Sequence, residues 1–148
     1  MAVFLALVLG SLAARAVGAL GVDYVDGWPQ AIAVGLALMF TMTGVAHFAP
    51  GMRRDMVAIV PPRLPRPALL VTTTGVLELL GAIGLLYPPT RVAAAACLFL
   101  LMLAMYPANV YAARMPNPPK SMTSRLSLRT AEEVVYLAAA VVVAVCSR

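Results

Sequence analysis

Five apolar blocks separated by short polar connections dominate the chain. A helix that crosses a bilayer needs roughly 20 mostly apolar residues. Met1–Leu20 is such a block, interrupted only by Arg15. Gln30–Ala49 is the second, and Pro67–Tyr87, which contains Glu78, is the third. Val92–Ala113 carries no charge at all. The last block runs from near Thr130 to near Cys146, with Arg125 and Arg129 expected to snorkel to the interface. The pattern predicts one all-α domain over residues 1–148, a polytopic membrane bundle of four or five spans near 1–20, 30–49, 67–87, 91–113 and 130–147. The first block lacks a basic n-region, so it is expected to remain as a spanning helix rather than to be a secretory signal.

The connections are Gly21–Pro29, Pro50–Arg66, the tight turn Pro88-Pro89-Thr90, and Arg114–Arg129. Their prolines are expected to stop helices. Thr130-Ala131-Glu132-Glu133 fits a capping box that opens the last helix, with Glu132 and Glu133 beside the helix N-terminus and within reach of Arg129. With five spans, the second and fourth connections share a side with the N-terminus. That side holds Arg53, Arg54, Arg63, Arg66, Arg114, Lys120, Arg125 and Arg129, against Arg15, Arg91 and Arg148 on the other. The excess puts the N-terminus and the basic loops in the cytoplasm.

Composition sharpens this picture. The chain is 62% hydrophobic and only 11% charged, where a soluble domain has about 25% charged residues. A soluble enzyme is thereby excluded, and two cysteines cannot frame a disulfide scaffold. The net charge of +5 sits between the apolar blocks, where it serves as a topology signal and contacts lipid headgroups. No basic run interleaved with stacking aromatics appears, so nucleic-acid binding is rejected.

Polar residues inside a span are expensive, so each demands a reason. Glu78 lies near the middle of the third block, with Thr74, Gly75, Gly81 and Ala82 on its face. That small, polar face is expected to meet another helix. His47, the single histidine, lies near the end of the second block with Thr43 one turn before it. Imidazole there can serve as a base or shuttle, or can merely cap a helix end. Asn109 follows Pro107, which removes a backbone bond and is expected to kink the helix; the amide could meet a ligand or a freed carbonyl. Glu78 is expected ~15 Å into the span and His47 and Asn109 nearer its cytoplasmic end, so that the three line one funnel but need a re-entrant loop to converge on one small atom. Cys97 and Cys146 form no CxxC pair and read either as a dithiol or, more ordinarily, as small buried apolar residues. Tyr24, Trp28 and Tyr87 suit interface anchors. One histidine is too few ligands for a structural metal site, and no nucleotide, haem or nucleophile motif occurs.

Several strings in order resemble the DoxX-like family of small membrane proteins. They are Gly44-Val45-Ala46-His47-Phe48, Val60-Pro61-Pro62 with Leu64-Pro65, Gly75 through Leu86, Pro88 with Arg91, and Tyr106-Pro107-Ala108-Asn109-Val110-Tyr111. The resemblance covers roughly residues 40–113. It implies a four-helix membrane bundle in a bacterial cytoplasmic membrane, association with oxidoreductase complexes, and Glu78, His47 and Asn109 as the polar site positions. The chain departs from the pattern in its additional N-terminal block and at Arg125-Leu126-Ser127-Leu128-Arg129, where relatives carry an Arg followed by Pro and Gln.

The leading expectation is a lipophilic small molecule, such as a quinone, an epoxide or an isoprenoid-like compound, held in an intramembrane polar pocket. Glu78, His47 and Asn109 are its catalytic candidates, and Thr43, Thr74, Tyr106 and Arg129 its substrate-binding set. No cofactor motif is evident, and a quinone is the one class left open. A membrane-embedded isomerase, cyclase or hydrolase needs no redox cofactor and is an alternative. So is a non-catalytic accessory subunit of a membrane complex, with homo-oligomerisation a further partner expectation; a channel or carrier ranks last.

Overall fold

The computed structural model describes residues 2–123 and 125–147. Met1, at the start of the first expected span, and Arg148, counted in the topology argument, lie outside the described residues. The described chain is helical without strands. Its helices are α1 (Ala2–Ala19), α2 (Trp28–Ala46), α3 (Pro50–Ala58), α4 (Pro67–Leu86), α5 (Pro88–Arg114) and α6 (Leu126–Cys146), with short 3₁₀ turns at Asp23–Val25 and Lys120–Met122.

Four of these, α1, α2, α4 and α5, are long and apolar enough to cross a membrane. The outer surface matches: Leu9 (59% exposed), Ile83 (66%) and Leu100 (63%) point away from the bundle. A soluble monomer rarely exposes so much contiguous apolar surface, whereas a hydrocarbon solvent welcomes it. The chain is therefore a membrane protein. The 21-residue α6 is long enough to cross but carries Arg129, Glu132 and Glu133 in its first turns.

Helix α2 packs on α4, α4 on α5, α5 on α6, and α6 returns to α2, closing a four-helix ring. Leu36, Met39, Leu85, Leu98 and Val143 fill its interior. Helix α1 lies against α2. The two approach closely because Gly10 meets Gly35 and because Ser11 turns its hydroxyl onto its own backbone, 2.7 Å from Leu7 O. A Cβ on Gly35 would strike Ser11 Oγ and come within 2.5 Å of Leu7 O, where backbone cannot yield. Gly35→Ala is expected to cost about 1–3 kcal/mol. Hydrogen exchange should then rise along α1 and stay unchanged along α4; equal exchange in both would show that the contact is not close.

The prolines act differently from the expectation. Pro29, Pro50, Pro67 and Pro88 each stand in the first turn of a helix. There the missing N–H would have had no partner, and the fixed φ suits the helix. Pro88-Pro89-Thr90 is accordingly the first turn of α5, not a separate turn, and Tyr87 alone joins α4 to α5. The fourth block therefore gains Arg91 and Arg114 at its ends. Pro50–Arg66 is not a plain connection, because it contains α3. The capping box at Thr130 does not form. The helix already runs from Leu126, Arg129 N donates to Arg125 O, and Thr130 Oγ1 donates to Leu126 O at 2.9 Å. Glu132 and Glu133 thus sit inside α6 rather than at its opening. Cys97 and Cys146 are free and exposed on the outer surface, so they are neither a disulfide nor buried packing.

At the end away from α3, Tyr24 OH donates to Leu86 O, and Arg91 lies 5.2 Å over the Tyr24 ring with its Nε 2.9 Å from Leu85 O. Arg15 pairs with Asp26 at 3.2 Å. These contacts close that end. The opposite end stays open, and the polar residues gather there.

Candidate functional site

Helix α2 stops at Ala46, with His47 as its cap residue. Helix α4 has by then run eleven residues from Pro67 to Glu78, about 17 Å of axial rise. Yet His47 Nδ1 stands 3.8 Å from Glu78 Oε2. The end of α2 therefore lies well inside the bundle, and α3 with the segment 59–66 folds back over it. This is the returning segment that convergence of the polar residues requires.

Two glycines set the register. Gly44 of α2 and Gly75 of α4 bring the backbones together, since a Cβ on Gly44 would lie 3.3 Å from Gly75 O. A Cβ on Gly75 would come within 2.5 Å of His47 Cβ. Arg53 then ties the returning segment down. Its Nη1 donates to His47 O at 3.2 Å, filling an orphan carbonyl at the end of α2. Its Nη2 donates to Ala68 O at 3.1 Å and Thr72 Oγ1 at 2.8 Å in the first turns of α4. Ser121 Oγ donates to Asp55 Oδ2 and links α3 to the 3₁₀ turn before α6.

The result is a cavity of about 640 Å³. Met56, Ile59, Val60, Leu64, Met105 and Met122 supply apolar walls, Arg63 stands among the lining residues, and Thr43, His47, Thr74, Glu78 and Asn109 supply the polar atoms. That volume is in the range of pockets for drug-sized ligands, and the balance of mostly apolar walls with a few converging polar groups is typical of them.

The hydrogen positions of His47 and Thr74 are defined by their partners. His47 Nδ1 lies 2.9 Å from Thr43 O. A carbonyl only accepts, so Nδ1 carries the hydrogen and Nε2 holds the lone pair of the neutral ring. Glu78 is 1% exposed, and its Oε2 has no hydrogen-bond partner among the described residues; at 3.8 Å the imidazole is close but beyond hydrogen-bond length. Thr74 directs its hydroxyl hydrogen to Leu70 O at 3.0 Å, whereas the Thr43 hydroxyl lies 3.3 Å from Met39 O and also bonds the Glu78 carboxyl.

The five residues Glu78, His47, Asn109, Thr43 and Thr74 come together on this cavity. Tyr106 and Arg129 are not among its lining residues. Tyr106 OH pairs with Thr130 Oγ1 at 2.7 Å, and Arg129 Nη1 donates to Asn109 Oδ1 at 3.0 Å. Both act from behind the wall, joining α5 to α6. Sequence reasoning missed Arg53 and the roof residues Met56, Ile59 and Val60. Pro50, with no further proline before Pro61, was the available signal, because proline favours a first helical turn. Among the described residues no group of three or more His, Cys, Asp or Glu could hold a metal ion.

A family model described as a domain of unknown function, DUF8561, matches residues 36–145. The chain belongs to the DUF8561 family. No curated protein and no solved structure matches the chain. The DUF8561 match runs from within α2 to near the end of α6, so it takes in the cavity and leaves α1 outside. In this DUF8561 chain the polar site is thus built from the family region alone, with α1 packed on its flank.

Proposed function

We propose that this DUF8561 chain is a DoxX-like membrane protein that binds a lipophilic small molecule in the cavity and moves a proton on it. The observation that carries the reading is the approach of the Glu78 carboxyl and the His47 imidazole to 3.8 Å inside a mostly apolar cavity. A carboxyl buried to this degree is costly unless it has work to do or a partner to meet. The helices present the pair to the cavity, not to lipid.

The roles follow from the hydrogens. Thr43 O and the Glu78 carboxyl both face Nδ1, so they hold the proton there and leave Nε2 as the base. A proton taken from the ligand onto Nε2 produces an imidazolium beside Glu78, where the carboxylate balances it. The reverse transfer completes the cycle at another ligand atom. Proton transfer of this kind contributes about 10²–10⁴-fold to a rate. Isomerisation and quinone-linked redox chemistry both need such a step, and in the latter the electrons would come from the ligand or a partner.

We take α6 as the fifth span, with Arg129, Glu132 and Glu133 at the membrane surface, next after the 3₁₀ turn that meets α3. Most of the basic residues lie at that end, which favours its facing the cytoplasm. The roof of α3 would then admit ligand from the cytoplasmic interface.

Native mass spectrometry of the mildly solubilised protein tests the reading, wild type beside Glu78→Gln. Glutamine keeps the shape and removes the acid. Wild type is expected to carry a copurifying lipophile that the variant loses. Equal retention by both, or a reproducible protein partner with no small molecule in either, would overturn it; the latter would make the chain a complex subunit.

A further inference from the structure

We propose that the cavity selects a lipophilic carbonyl compound, because Arg129 locks the Asn109 amide with its NH₂ group towards the ligand. This rests on the small-molecule reading above and adds the ligand's chemical class.

An asparagine amide offers an accepting oxygen at one end and two donor hydrogens at the other, and its neighbours decide which end faces where. Here the neighbour is a guanidinium, which can only donate. Arg129 Nη1 stands 3.0 Å from Asn109 Oδ1. Turning the amide over would set donors against donors. Arg129 is itself steadied by Met122, whose Sδ lies 3.6 Å from Nη2. The oxygen of Asn109 is therefore committed to α6. Its nitrogen has no hydrogen-bond partner among the described residues, and the residue lines the cavity.

Two polar groups on the α2 and α4 side have the opposite sense. His47 Nε2 is an acceptor, because Nδ1 holds the ring hydrogen against Thr43 O. The Thr74 hydroxyl directs its hydrogen to Leu70 O, which leaves its oxygen accepting. The α5 wall thus donates through Asn109, while the α2–α4 wall accepts. A ligand that satisfies both carries a carbonyl oxygen for Asn109 and a hydroxyl hydrogen for His47. Long-chain α-hydroxy ketones have this pairing at one end and an apolar tail for the methionine-lined walls. A simple alcohol has one oxygen to serve both walls, where the hydroxy ketone has one for each. An unpaired donor in a desolvated site is penalised.

The test uses the full chain in mild detergent, titrated with 1-hydroxytetradecan-2-one and with tetradecan-1-ol and read by native mass spectrometry. Wild type is expected to retain the hydroxy ketone about tenfold better than the alcohol. Asn109→Asp keeps an oxygen for Arg129 and turns a second acceptor towards the cavity, so the preference should vanish while alcohol binding persists. Arg129→Met frees the amide to turn and should also erase the preference, and Arg129→Lys, an obligate donor, should restore it. Retained alcohol binding reports an intact cavity, so a lost preference cannot be ascribed to unfolding. Equal binding of the two probes by wild type, or a preference unchanged in Asn109→Asp, would overturn the assignment of Asn109 and leave the cavity reading standing. Retention of neither probe by wild type would overturn both.

Discussion

Gly75→Val is expected to abolish ligand retention and to destabilise the bundle by about 1–3 kcal/mol. The first side-chain atom at this position would stand 2.5 Å from His47 Cβ and 2.9 Å from His47 Cγ. Neither is the far end of a flexible chain. His47 cannot rotate away, because its Cβ is fixed to the backbone at the end of α2. The helices must separate, and the Glu78–His47 approach goes with them. Valine adds a second burden, since its branched side chain also crowds Phe48, whose Cε2 lies 3.1 Å from the first added atom. Gly51→Ala is the matched control: a Cβ there meets nothing within 4 Å, so it should be neutral or slightly favourable to α3. Thermal melting in detergent and native mass spectrometry of both variants decide the matter. A Gly75→Val protein that melts like wild type and keeps its ligand would show that α2 and α4 do not meet closely at this level.

The second large effect is expected at Arg53. Arg53→Met keeps the aliphatic stem and removes three donated bonds, to His47 O, Ala68 O and Thr72 Oγ1. Bonds from a charged donor are worth more than neutral ones, but Arg53 is only half-buried and the three are not additive. A loss of about 2 kcal/mol is reasonable, felt in α3 rather than in the ring. Amide hydrogen exchange over Pro50–Ala58 should then quicken about thirtyfold, with α4 and α5 unaltered. Arg54→Met, the exposed neighbour, should leave exchange unchanged. If the two variants behave alike, the roof is held by its apolar contacts and not by the Arg53 bonds.

Much of the site was legible residue by residue. Glu78 stood out because a carboxyl in an apolar run is costly wherever it points, and His47 and Asn109 because so few other polar side chains interrupt the spans. Thr43 and Thr74 followed from one-turn spacing along the helix face. Tyr106 and Arg129 were legible as polar neighbours but not as residues behind the wall, because which face of α5 meets α6 depends on packing. Helix α3 was hidden by reading its proline as a stop. The capping box at Thr130 failed for a related reason. A local motif competes with an upstream turn that is itself helical, and Leu126-Ser127-Leu128 extended the helix past it.

Membrane character, the approximate spans and the available chemistry can be read along the chain, because burial cost and span length are local properties that a run of residues carries in any context. Tertiary structure alone decided that α2 ends deep enough for His47 to stand beside Glu78, and that Arg129 faces Asn109. Both depend on the axial register between helices far apart in the chain. That register is set by where glycine lets backbones touch, as at Gly44 and Gly75, and no spacing along a single helix encodes it.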